Sequence, residues 1–147
     1  MIAFLIAGLL AFAGSVGPDL SPPPGALNPQ VTQAAIYQTI CVRGWTRTIR
    51  PPASYTRELK HEQMAARHLP GPPSDYQEDH FIPLELGGAP WDPRNLWPER
   101  IREAERKDVW EARLNHAVCD GAMSLADAQH RIADPARWRI PAPVGVP

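Results

Sequence analysis

The sequence predicts a small α+β domain, mainly helical, built around one hairpin and the helix that follows it and held by one disulfide. Three observations carry that prediction. Tyr76 to Glu99, YQEDHFIPLELGGAPWDPRNLWPE, reads as strand, Gly-Gly loop and strand, then runs into a charged helix. Helical patterns punctuated by prolines lie on both sides of it, and the only two cysteines are far apart. At 147 residues the chain is one domain by length. With its flanks removed the folded part is about 110 residues, enough to bury a core.

The elements follow in order. Residues 17–27 (GPDLSPPPGAL) form a Pro-rich linker, expected to be extended and poorly packed. Asn28-Pro29 reads as an N-cap and a first-turn proline, opening a helix to about Ile40. Val42 to Pro52 reads as extended chain, because Trp45, Thr46, Thr48 and Ile49 favour strand and Pro51-Pro52 ends it. Thr56 caps a second helix to about His68, closed by the prolines of residues 70–73. A strand is expected near Gln77 to Ile82, its partner near Asn95 to Trp97, and the longest helix from Pro98 to about Cys119. On that helix Trp110, Leu114, Ala117 and Val118 make an apolar stripe, while Ile101, Ala104, Glu105, Asp108 and Ala112 fall on another face. Ser124 to Asp127 starts a last short helix through Ile132 with a capping-box-like pattern, the domain runs to about residue 139, and residues 140–147 are a disordered tail.

Bulk charge advertises no polyanion partner, because 15 Lys plus Arg stand against 16 Asp plus Glu. The distribution says more. Val42 to Pro70 holds Arg43, Arg47, Arg50, Arg57, Lys60 and Arg67 against Glu58 and Glu62, whereas Asp75 to Glu99 holds six acids against Arg94. A phosphate substrate and a cation together call for that juxtaposition, and solvated surface charge produces it too.

Residues 1–16 carry no charged side chain and are short for a bilayer span, so they read as a signal peptide or N-terminal anchor. Export makes one disulfide the default for Cys41 and Cys119, and a four-cysteine zinc site is excluded by count.

The chemistry lies in the hairpin. Asp79 is a hard oxygen donor for a divalent cation, the adjacent His80 imidazole can take a proton from water near neutral pH, and the Asn95 amide can fix how that imidazole points. Asp79-His80, the PLELGG run at Pro83 to Gly88, and Asn95-Leu96-Trp97-Pro98 resemble the HNH, or ββα-metal, nuclease family. From Asn28 to Trp138 the chain is similar to exported bacterial proteins of HNH type, including the CVRGWT, SYT and AERKD segments.

The resemblance implies that Asp79 ligates one divalent cation, that His80 is the general base and that Asn95 is a catalytic-site residue holding the His80 loop. The family's last position, a His or Asn on the helix, has no His in register here. Glu105, in the AERKD run, is the candidate ligand, with Glu103 and Asp108 as fallbacks. A carboxylate there favours Mg²⁺ or Mn²⁺ over Zn²⁺. Other readings stay open: Asp79-His80 as a surface pair, Asn95 as a turn residue, Glu105 as a solvated helix residue, and the five tryptophans as packing groups.

The expectation is therefore an exported monomer that hydrolyses nucleic acid, DNA in preference to RNA. Arg43, Arg47 and Arg50 would touch phosphates, and no stable membrane association would remain after signal cleavage. The alternatives are a non-catalytic extracytoplasmic module on a degenerate HNH scaffold and a secreted nuclease toxin.

Overall fold

The computed structural model describes residues 16–139. The expected signal segment and tail fall almost entirely outside them. β1 (Tyr76–His80) and β2 (Leu96–Arg100) form a two-stranded antiparallel sheet, with Tyr76 opposite Arg100, Asp79 opposite Trp97 and His80 opposite Leu96. β2 runs on to Arg100, so Pro98 and Glu99 belong to the strand and not to the helix start expected there. Pro98 is tolerated because β2 has only one partner and its other edge needs no donor.

The 81–95 loop folds back through a 3-10 turn at Leu84–Leu86. Gly88 has no room for a side chain: a Cβ there would sit 1.7 Å from the Ile82 carbonyl oxygen. Helix α3 (Ile101–Cys119) starts directly after β2 and packs across the sheet and loop. Opposite it lies α2 (Ala53–Ala66), which starts after Pro52 rather than at Thr56. The hairpin is therefore sandwiched between two helices.

Two expected elements differ. Val42 to Pro52 is not extended but holds the short helix α1 (Trp45–Ile49) after Gly44, which takes a left-handed φ of 85°. The segment meets its hydrogen bonds locally instead of pairing with the sheet, Thr48 Oγ1 donating to the Trp45 carbonyl at 2.6 Å. The 28–40 segment is a 3-10 helix only over Gln33–Gln38. Asn28 does not cap a helix there; its Oδ1 accepts the Gln30 N–H in an Asx turn.

The Pro-rich 17–27 segment is docked rather than loose. Gly25 N–H donates to the Arg94 carbonyl, Ala89 N–H to the Ala26 carbonyl, and Pro23 is buried. Its backbone thus forms one wall of the 81–95 loop.

The C-terminal end closes the core. In α4 (Leu125–Ile132) the Ser124 hydroxyl accepts the Asp127 N–H, as the capping-box pattern anticipates. An unforeseen helix α5 (Pro135–Arg139) delivers Trp138, fully buried, whose Nε1 donates to the Ile132 carbonyl. Trp138, Ile132, Ala128, Leu114, Val118, Trp97, Phe81 and Ile36 form one continuous apolar cluster. The Cys41–Cys119 disulfide is present and ties the start of the basic segment to the end of α3.

Candidate functional site

Strand alternation places Asp79 and Glu99 on the sheet face that α3 covers. The residue α3 presents to them is Lys107. Its Nζ lies 2.6 Å from Asp79 Oδ2 and 2.7 Å from Glu99 Oε2, and donates to the His80 carbonyl at 2.9 Å. The Lys107 and Glu99 side chains are 0% exposed and that of Asp79 is 14% exposed.

Burial alone would raise the Asp79 pKa, but the charge and hydrogen bond of Lys107 outweigh it and hold Asp79 ionised. Burial likewise works against the Lys107 charge, and the two carboxyls more than restore it. Glu99 is pushed up to about 8, by burial first, with the Asp79 charge adding to it and Lys107 opposing. At neutral pH Glu99 thus carries a proton. That proton is shared in a hydrogen bond with Asp79, whose Oδ2 also carries the ion pair with Lys107.

His80 ends β1 and is 4% exposed. Its Nε2 lies 3.0 Å from the Pro90 carbonyl oxygen. A carbonyl only accepts, so the hydrogen-bond network assigns the proton to Nε2 and leaves Nδ1 as the basic lone pair. Burial draws the His80 pKa below its ordinary 6.5; the Pro90 carbonyl and Asp79 work against that, and the charges of Arg50 and Lys107 reinforce it. The ring is neutral at physiological pH.

Asn95, 0% exposed, holds the loop from inside. Oδ1 accepts the Ile82 N–H at 2.8 Å, and Nδ2 donates to the carbonyls of Ile82 and Ala89, each at 3.0 Å. It is a loop clamp in geometry, linked to His80 through the residues on either side of Phe81 and Pro90.

A second carboxyl pair stands beside the first. Glu111 is pushed up to about 10 by burial and then by its hydrogen bond to Glu85 and the charges of Glu85 and Asp79. Glu85 goes the other way: burial is outweighed by hydrogen bonds from Glu111 and Thr46 and by the Arg50 charge. Glu111 therefore holds one proton and shares it with Glu85.

The Arg residues expected at phosphates divide. Arg50 reaches Glu85 at 3.8 Å and is near enough to depress the His80 pKa. Arg43 and Arg47 line a groove of about 520 Å³ with Glu85, Asn115, His116 and the disulfide. Trp91 is 50% exposed against the Tyr55 ring and is no core group, whereas Trp97 packs edge-on against Phe81.

Glu105 is not brought to Asp79. It is exposed, and two residues before Lys107 it lies about 200° round the helix. The residue sequence reasoning missed is Lys107, with Glu99 and Glu111. Counting back from Val118 and Leu114 at helical spacing reaches Glu111, Lys107 and Ala104, so charges inside an otherwise apolar stripe were the available signal.

The expected divalent cation does not fit this arrangement. One Asp79 oxygen accepts the His80 N–H at 2.9 Å and the other faces a buried ammonium, which would repel a metal ion on the same carboxylate. Among the described residues no three His, Cys, Asp or Glu side chains converge as a metal set. Comparison of the chain with protein-family models, curated proteins and solved structures gives no match.

Proposed function

We propose that this chain hydrolyses phosphodiester bonds of nucleic acid, on a ββα scaffold of the HNH kind, with His80 as general base. The observation that carries the reading is the His80 ring, kept neutral by burial, with Nε2–H fixed on the Pro90 carbonyl and Nδ1 left to accept a proton. In the reaction Nδ1 takes a proton from water, the resulting hydroxide attacks phosphorus, and the bond to the leaving oxygen breaks. Solvent reprotonates that oxygen.

Asn95 acts as a positioning residue through the 82–89 loop. Arg50 contacts the scissile phosphate, and Arg43 and Arg47 continue the phosphate track along the groove. No step is routed through a metal ion. The disulfide accords with an oxidising compartment, as export would provide.

One observation favours a second reading, a non-catalytic binding module: Asp79, the residue expected to work on a cofactor, is neutralised by Lys107. Plasmid DNA and matched DNA and RNA oligonucleotides incubated with the oxidised protein separate the two. Cleavage of DNA supports the enzyme, and retained salt-sensitive binding without cleavage supports the module.

A further inference from the structure

The ammonium of Lys107 has three N–H donors, and three acceptors surround it: Asp79 Oδ2, Glu99 Oε2 and the His80 carbonyl. All come from the hairpin, while Lys107 comes from α3. The Trp138 ring lies 5.7 Å from the same Nζ and closes the side toward the core. The lysine thus joins both strands, the helix and α5 through one atom.

A cation that gathers the Asp79 carboxylate, the Glu99 carboxyl and a backbone carbonyl is in the coordination role of a hard divalent ion, whose preferred donors are such oxygens. We propose that Lys107 is a built-in cation that takes the place of a divalent metal between the hairpin and α3. The Asp79-His80 end of the sheet is then assembled without metal, and removing Lys107 opens a divalent-cation site between Asp79 and Glu99. The inference does not rest on the nuclease reading, because metal binding and melting are read without substrate.

The test uses the full oxidised chain and Mn²⁺ as probe, followed by electron paramagnetic resonance and by melting temperature. The parent should leave Mn²⁺ free in solution, and neither Mn²⁺ nor chelator should move its Tm. Lys107→Ala should melt lower than the parent and bind Mn²⁺, its Tm climbing with Mn²⁺ concentration by mass action. Adding Glu99→Gln to Lys107→Ala should weaken that binding.

Stoichiometric Mn²⁺ binding by the parent, with a Tm rise abolished in Asp79→Asn, would overturn the proposal. So would a folded Lys107→Ala as indifferent to Mn²⁺ as the parent. If Lys107→Ala folds only when Mn²⁺ is supplied, the proposal stands; if it folds under no condition, the Mn²⁺ response of the parent decides.

Discussion

Replacing Glu111 by glutamine should flatten the pH dependence of stability. In the folded chain Glu111 holds its proton up to about pH 10, because burial disfavours its charge and Glu85 is hydrogen-bonded to it. In the unfolded chain it ionises near the ordinary 4.5. Between those values the native state binds one more proton than the unfolded state, so its contribution is fully present below about pH 4.5 and declines as pH rises toward 10.

One proton corresponds to about 1.4 kcal/mol per pH unit. In Glu111→Gln the new amide can donate to Glu85 as the protonated carboxyl does, but it does not titrate. Urea unfolding of oxidised parent and Glu111→Gln at several pH values from about 5.5 to 7.5 should give curves that diverge by about 2.7 kcal/mol across that range. The parent loses more stability on the alkaline side. Glu78 and Glu99, both pushed up to about 8, also lower stability as pH rises, but they are common to both proteins and cancel in the difference. Parallel curves would refute the assignment of a retained proton to Glu111.

Reducing the disulfide, which closes 78 residues of sequence separation, should cost about 4.5 kcal/mol by the chain-entropy model, read as a drop in urea midpoint. Thiol alkylation followed by intact mass should find no free thiol before reduction and two after it. Asn95→Ala removes three buried hydrogen bonds and should destabilise by about 3 kcal/mol, with proteolysis starting in the 82–89 loop. Nucleic-acid affinity should fall steeply with salt and vary little with sequence, and Arg47→Ala and Arg50→Ala should each shallow the salt slope; binding insensitive to salt would contradict the phosphate track.

The hairpin was legible because its signals are local: a strand-length run, a Gly-Gly turn and an Asn after it. The disulfide was legible because two cysteines allow one pairing. The basic segment was not, since Trp45, Thr46 and Thr48 carry strand propensity, whereas the chain there bonds within itself as α1 instead of pairing with the sheet. Nor was α5, where the burial of Trp138 decides the fold of five residues.

In the hairpin, Asp79, His80 and Asn95 stand out by residue type, and the structure sets Asp79 and His80 at the end of β1 with Asn95 buried behind the loop. Lys107 is not legible, because a lysine on a charged helix reads as solvated, and the motif position that points to Glu105 takes no account of helical phase. A buried charge is invisible until its partners on another element are known, and here they are Asp79 and Glu99.

The most direct test of the account compares nicking rates of supercoiled plasmid by the parent and by His80→Ala, in Mg²⁺-containing buffer across a pH series, with circular dichroism confirming that both are folded. The account predicts that His80→Ala loses cleavage by about 10²- to 10⁴-fold. It also predicts that the parental rate rises with pH and levels off below the ordinary imidazole value of 6.5, because the buried ring releases its proton early. A folded His80→Ala protein that nicks plasmid at the parental rate, with an unchanged pH profile, would contradict it.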